Sequence, residues 1–520
     1  MAELLKNVAS ERASDVAIID DYSSLTWSEF NDRVNSLIHY LRRVNLAPGD
    51  TIAIMSTNRR EFLEVATACV HASLVFVPVN WHWVSRELAY VLADADVKAL
   101  FVEDRFVEVA REALNDLATK DCVTRVAFGA RSPGFDDYEE VLHSESTAEP
   151  ADQGSGGPMF YTSGTTGFPK GVRGTLNQTG RPVEQIRALG MAVSRILRIP
   201  ERGVTLLDGP AYHSAQLALS LYPLLSIGSA CVTRSHFEPA SMLDLIDEHR
   251  VTNVHLVPTQ FIRLLKLEAT QRARFDGSSL VSVIHGAAPC PVPIKKSMLE
   301  WWGPVLIEYY GGTESGFLTV ADGATWLERP GTLGKVLATS QLMVRNDDHE
   351  PCAPGEVGQI YFKSLNGGDF VYHKAPEKTT AAHLAPGVGT LGDVGYLDDE
   401  GYLFLSDRKI DMIISGGVNI YPAEIEGILV THPAVADAAV FGIPDEEMGE
   451  QVKAVVELLD PSLASAALAE ELIGHVRQNL ASYKSPRSID FEEHLPRHPT
   501  GKLYKRLLRD PYWERADRQI

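Results

Sequence analysis

Thr162-Ser163-Gly164-Thr165-Thr166-Gly167-Phe168-Pro169-Lys170-Gly171 is the stretch from which the rest of the chain is read. Gly164, Gly167 and Gly171 free the backbone for positive φ and for close approach to a ligand. The hydroxyls of Thr162, Ser163, Thr165 and Thr166 are short donors. Successive backbone N–H groups in such a loop can form an anion nest. Lys170 adds one point charge. A surface turn would use the same residue types. A cradle for a row of phosphate oxygens needs all of them together. The spacing is not that of a Walker A loop, which requires G-x-x-x-x-G-K-[ST].

At 520 residues the chain exceeds one ordinary core, so at least two domains are expected. A hydrophobic content of 45% with 22% charged residues fits a globular enzyme. The net charge of −21 argues against nucleic acid or an anionic membrane as a partner. Any bound polyphosphate must therefore meet locally placed cations. The five cysteines have no paired spacing, so neither a disulfide framework nor a zinc site is expected and a reducing compartment fits. No apolar run reaches the ~18 residues of a membrane span. The first residues lack a signal peptide's basic-then-apolar pattern, and the cytoplasm is the expected location.

Working outward, the N-terminal side alternates helical and strand patterns. Thr26-x-x-Glu29 is a capping box, followed by Phe30, Val34, Leu37 and Leu41 on one helical face. Strand patterns over 52–55, 74–79, 98–102 and 123–128, separated by helical stretches, predict a parallel sheet covered on both faces. Residues 131–158 are polar and acidic and predict a long surface connection into the glycine loop. A second α/β run follows, with strands over 204–208, 230–233, 253–257 and 280–285. From about Gly331 short strands and turns indicate a small β-rich subdomain. After Asp407-Arg408 a separate unit begins, with Pro422 in a helix's first turn and an alternating strand at Val452, Ala454, Val456 and Leu458. The predicted fold is α/β: stacked α/β subdomains plus a β-rich subdomain over 1–408, then a small mobile α+β domain over 409–520.

Several further constellations carry chemistry beside the loop. Glu308-Tyr309-Tyr310-Gly311-Gly312-Thr313-Glu314-Ser315 places a carboxylate and an aromatic among glycines. It reads either as a turn or as a magnesium ligand beside a wall for a base. His285-Gly286-Ala287-Ala288-Pro289 is a tight strand end whose small residues admit a flat ligand. His213 is a lone histidine after Gly209-Pro210-Ala211-Tyr212. Asp393 and Arg408 offer an acceptor and a fork of donors, or else two surface charges. Ser415-Gly416-Gly417-Val418 is a glycine hinge before a helix. Lys502, in Pro499-Thr500-Gly501-Lys502, is by itself a solvated lysine.

Taken in order along nearly the whole chain, these strings resemble the adenylate-forming superfamily of acyl-CoA synthetases, peptide-synthetase adenylation domains and luciferases. The version here is closest to the acyl-CoA synthetases. The resemblance implies that 162–167 and Lys170 bind ATP phosphates and that Tyr310, Gly311 and the backbone of Gly286, Ala287 and Ala288 enclose adenine. It implies that Thr313 contacts the α-phosphate, Glu314 binds Mg²⁺, and Asp393 and Arg408 hold the ribose. His213 would lie beside the acyl group, Gly416 and Gly417 would pass coenzyme A, and Lys502 would be the catalytic lysine. The activity implied is an ATP-dependent acyl-CoA synthetase. It makes acyl-AMP from a carboxylic acid with release of pyrophosphate, then transfers the acyl group to coenzyme A. Ser214-Ala215-Gln216-Leu217 carries no acid where amino-acid-activating relatives have Asp, which disfavours an α-amino acid. Small residues at Ala215, Ala287, Gly312 and Gly316 suggest a roomy apolar pocket. Leu391 stands where relatives carry Thr, Val418 where many carry Glu, and Ile410 where the pivot is usually polar. Three alternatives stay open: a ligase that loads an acyl carrier protein, a luciferase-like oxygenase, and a non-catalytic acyl-binding homologue. The sequence also leaves homo-oligomerisation open.

Overall fold

The computed structural model describes residues 4–162, 169–174, 179–408, 411–416, 418–445, 447–497 and 503–514, with the side chains of Leu117, Asp407 and Arg408 outside that description. Ser163, Gly164, Thr165, Thr166, Gly167, Ile410, Gly417 and Lys502 therefore lie outside the described residues.

The first α/β run forms a six-stranded parallel sheet in the order Asp136–Asp137, Thr124–Phe128, Val97–Glu103, Thr51–Met55, Val75–Val79, Gly157–Pro158. Its strands are almost entirely buried because helices cover both faces. Ile52, Ile54 and Phe101 pack on Phe30, Val34 and Leu37 of the helix Trp27–Arg43. Ala53, Leu100 and Val102 turn the other way, toward Leu88, Val91 and Leu92 of the helix Ser85–Asp94. This two-residue alternation between two apolar layers is why the strands read as continuous apolar runs. Each fully buried Val, Leu, Ile or Phe contributes ~1.5–3 kcal/mol of transfer free energy. The capping box at Thr26 and Glu29 is formed.

Residues 131–158 are more than a surface connection. Within them Tyr138–His143 is a helix capped by Asp137, and it buries Tyr138, Val141 and Leu142. Tyr138 donates to the fully buried Glu64 at 2.6 Å, and Arg33 pairs with Glu64 and Glu139, each at 2.7 Å. The spacing of those three apolar residues was hidden by the acidic residues around them.

The second run builds a fourteen-stranded sheet. From Val16–Ile19 it proceeds in parallel through Ala230–Thr233, Val204–Leu207, Asn253–Leu256, Ser282–His285 and Leu306–Gly312. At Gly316–Asp322 the direction reverses. The β-rich stretch then continues the same sheet antiparallel, through Thr332–Val336, Tyr402–Arg408, Val388–Leu397, Gly358–Ser364 and Ser340–Arg345. A three-stranded antiparallel sheet joins Phe160–Thr162, Lys170–Gly174 and Phe370–Tyr372.

After Arg408 a five-stranded sheet is made from Ile413–Ser415, Val418–Ile420, Val435–Asp445, Gly449–Leu458 and Ser488–Glu492. The helices Pro422–Leu429 and Ala466–Asn479 cover it with Ile425, Leu429, Leu472 and Val476. It touches the preceding part through Lys266, whose Nζ donates to the carbonyls of Val435 and Ala436.

Candidate active site

The parallel strands of the large sheet end on one edge, the side on which open α/β sheets bind ligands, and after Leu306–Gly312 the sheet turns antiparallel. Tyr310 is near the end of that strand, buried, and its hydroxyl donates to Asp393 Oδ2 at 2.9 Å. These residues are 83 positions apart. Asp393 is also the register partner of Arg408 on the adjacent antiparallel strand. The Tyr310 hydroxyl thus meets Asp393, and backbone register sets Arg408 opposite Asp393.

Glycines shape the same edge. A Cβ at Gly311 would fall 1.9 Å from the Gly316 carbonyl oxygen, so the bulge at this hairpin admits no side chain there. A Cβ at Gly286 would fall 2.7 Å from the Tyr309 ring. Ala287 adopts φ of 66°, the left-handed region that a non-glycine residue rarely occupies. Gly286, Ala287 and Ala288 follow the strand Ser282–His285, with Gly286 against the Tyr309 ring. A Cβ at Gly312 would lie 3.0 Å from Leu391 Cδ2 and 3.4 Å from Glu314 Oε2. Leu391 therefore limits the space at Gly312 from the antiparallel side of the sheet.

Thr162 and Lys170 are register partners at the mouth of the glycine loop. Lys170 Nζ lies 4.6 Å above the ring of Tyr372, and the Tyr372 hydroxyl donates to Glu314 Oε1 at 3.0 Å. Burial, then the neighbouring Lys378, pushes the Lys170 amine below its ordinary range, with Glu314 opposing. Burial and the Glu314 carboxylate push the Tyr372 phenol up, so it stays protonated and serves as a donor. Tyr372 escaped the sequence reading. It sits 58 residues from Glu314 in a three-residue strand, and only its β-forming neighbours mark it.

His213 precedes the helix Ser214–Ile227 as its N-cap residue, and Ser214 Oγ meets Thr313 Oγ1 at 3.0 Å. The His213 segment and the Thr313-Glu314 turn are thereby joined. Behind the edge, Lys295 and Glu308 form a fully buried ion pair at 2.5 Å, with His285 alongside. Burial and then Lys295 hold that histidine neutral, far below its ordinary value. Gly416, at φ of 57°, hydrogen-bonds through its N–H to the Met448 carbonyl in the C-terminal unit.

Residues 5–367 match the model of the AMP-binding enzymes, and residues 424–502 match that of the AMP-binding enzyme C-terminal domain. The chain belongs to the AMP-binding enzymes. A feruloyl-CoA synthase of an Amycolatopsis species is 33% identical over 489 residues, 94% of each chain. An indoleacetate–CoA ligase of Aromatoleum aromaticum is 32% identical over 520 residues, 97% of this chain and 96% of its own. The o-succinylbenzoate CoA synthetase of Bacillus subtilis, solved with its acyl-adenylate intermediate, superposes with a TM-score of 0.81 at 27% identity over 98% of each chain. This AMP-binding enzyme is an AMP-forming acid–thiol ligase, with ATP and a carboxylic acid as its first substrates. Among the described residues no helix is long and apolar enough to cross a membrane.

Proposed function

We propose that this enzyme converts a hydrophobic carboxylic acid other than an α-amino acid to its acyl-CoA, with the acid lying between His213 and Thr313. The observation that carries this reading is the convergence of separated motifs at the end of the strand Leu306–Gly312. Tyr310 meets Asp393, Glu314 meets Tyr372 beneath Lys170, and Thr313 meets Ser214. In this reading adenine lies between Tyr310 and the backbone of 286–288, and the ribose hydroxyls are held by Asp393 and Arg408. The hairpin from Thr162 to Lys170 and the hydroxyl of Thr313 hold the phosphates. The acid's carboxylate oxygen attacks the α-phosphorus as the bond to pyrophosphate breaks. A thiol then attacks the acyl carbonyl and AMP leaves. No protein nucleophile is required, only positioning and charge stabilisation.

Magnesium fits the donor set. Mg²⁺ takes one or two carboxylates and completes its shell with phosphate oxygens and water, and no cluster of three metal-ligating side chains exists among the described residues. Glu314 is the carboxylate that would hold it, and the ion would supply charge neutralisation at the phosphates. We assign Lys502 as the donor to developing charge in the first step and the Gly416-Gly417 loop as the path of the pantetheine arm. Both lie in a unit, residues 409–520, that moves relative to residues 1–408. Ser214-Ala215-Gln216-Leu217 carries no carboxylate to meet an ammonium group from this helix, which supports an acid other than an α-amino acid. Relatives named for feruloyl-CoA and indoleacetate support an acid with an aromatic ring.

ATP–pyrophosphate exchange over a panel of aryl, aliphatic and amino acids tests this reading, followed by thioester formation with free coenzyme A or a pantetheinylated carrier protein. Strongest exchange with an α-amino acid overturns the substrate class. Thioester on the carrier alone replaces coenzyme A as the acceptor. No exchange with any acid leaves an acyl-binding protein without ligase activity.

A further inference from the structure

The glycine loop is framed by the small antiparallel sheet of Phe160–Thr162, Lys170–Gly174 and Phe370–Tyr372. Thr162 pairs with Lys170, and Tyr372 pairs with Val172, two residues further on. Side chains alternate between the faces of a sheet, so Thr162, Lys170 and Tyr372 share one face, the one assigned to the phosphates. On the other face Tyr161 and His373 flank Gly171, and a Cβ on that glycine would fall 3.1 Å from each of them. Both side chains reach one residue of the six-stranded unit, Asp94, which ends the helix Ser85–Asp94. Asp94 Oδ2 accepts from the Tyr161 hydroxyl at 2.6 Å, and the Asp94 carbonyl accepts from His373 Nε2 at 2.9 Å. A carbonyl only accepts, so the His373 proton is on Nε2. Burial, then the Asp94 hydrogen bond, pushes the Tyr161 phenol up and keeps it a donor. Burial, then Arg173, holds the His373 imidazole below its ordinary range.

We infer that Asp94 is a positioning residue for the adenylating step: through Tyr161 and His373 it fixes the small sheet whose other face presents Thr162, Lys170 and Tyr372. This rests on the ligase reading above and names what sets the geometry of its phosphate site. A sheet of three short strands takes its orientation from what it packs against. Asp94 stands 67 positions from Tyr161 and 279 from His373, so one residue joins three distant segments. A phenylalanine at 161 would bury the same ring, so packing alone does not call for the hydroxyl. A hydroxyl bonded to a carboxylate is short and strong, which suits it to holding a position. The exposed pair of Lys374 with Asp96, at 2.9 Å, lies beside this bracket, but such pairs contribute little. Asp94 touches no substrate in this reading. It acts through Lys170 and Tyr372, whose contacts with each other and with Glu314 depend on where the sheet is held.

The test separates the two half-reactions in the full chain, with the acid that gives the strongest pyrophosphate exchange. Tyr161→Phe and Asp94→Ala each remove the 2.6 Å bond. Each should lower kcat for exchange by about 10- to 100-fold, the range that misplacing groups by about 1 Å costs. KM for the acid, and the conversion of supplied acyl-adenylate to thioester, should stay within about twofold of the parent. The double variant should lose little more than either alone, because both substitutions delete one bond. Asp94→Asn keeps an acceptor for the Tyr161 hydroxyl and should recover most of the loss. Parental exchange in both Tyr161→Phe and Asp94→Ala overturns the inference and leaves the ligase reading standing. Equal losses in the two half-reactions do the same, by making Asp94 a residue of the fold alone. Asp94→Asn no better than Asp94→Ala also overturns it. Should Asp94→Ala fail to fold, Tyr161→Phe, which keeps the ring, decides together with Asp94→Asn. No exchange by the parent with any acid removes both readings.

Discussion

Replacing Tyr372 by phenylalanine isolates one hydroxyl at the centre of the proposed phosphate site. The ring stays, so Lys170 keeps its aromatic platform at 4.6 Å. The variant removes the 3.0 Å hydrogen bond to Glu314 Oε1. A hydrogen bond to a charged group contributes ~1.5–3 kcal/mol. At about 1.36 kcal/mol per factor of ten, losing it from the adenylating transition state slows that step by about 10- to 150-fold. The loss should appear in pyrophosphate exchange and be partly recovered by raising the magnesium concentration, because Glu314 is no longer oriented toward the metal. Conversion of supplied acyl-adenylate to thioester should stay within about twofold of the parent, since no pyrophosphate is then present. Exchange at the parental rate would refute the reasoning, because Glu314 would then need no help from Tyr372. An equal loss in both half-reactions would refute it as well, by pointing to a general distortion.

Further outcomes follow from other parts of the molecule. Lys502→Ala should slow pyrophosphate exchange by ~10²–10³-fold while supplied acyl-adenylate still yields thioester; equal losses in the two assays would remove Lys502 from the first step. Gly312→Ala puts a methyl 3.0 Å from Leu391, so it should cost about 1 kcal/mol or more in thermal unfolding, and adding Leu391→Ala should restore part of that loss. Lys295→Met strands Glu308 in the core and should destabilise by ~3–5 kcal/mol in denaturant titration, with Glu308→Gln in the same chain recovering much of it. Burial pushes Lys266 down to about 8, against the opposing pull of Asp437 and Glu457. Between that value and the ordinary 10.5 the docked amine is neutral while an undocked one is still charged, so rising pH favours the docked pose across this window. Energy transfer between labels on the two units should report that slope, and Lys266→Met should flatten it.

The parts of the site that were legible in the sequence are those carried by contiguous strings of unusual residues. Tyr310 through Glu314, Gly286 through Ala288, and the ends of the glycine loop stand out in the sequence because their glycines and polar residues follow no helical or strand period. Asp393 and Arg408 are ordinary charges that gained meaning only from their order relative to those strings, and their strand register then brought them together. Tyr372 and Ser214 could not be read, because each acts through a contact to a residue 58 or 99 positions away and sits in an unremarkable local pattern. The helix Tyr138–His143 was missed for a different reason. It is too short for its period to stand out, and the partner that makes Tyr138 worth burying is Glu64, in another element.

The reversal of strand direction after Leu306–Gly312 divides the substrates between two halves of one sheet. The parallel half leads to His213, which faces the acid in the reading above. The antiparallel half holds Asp393 and Arg408, assigned to the ribose in that reading. Thr313, Glu314 and Ser315 stand on the seam. Changes on the parallel side can alter which acid is accepted without disturbing the grip on ATP, and the reverse change is equally separable. Such an arrangement lets one ATP-using framework acquire new acids through few substitutions, with Thr313 and Glu314 of the seam as the positions that tolerate least.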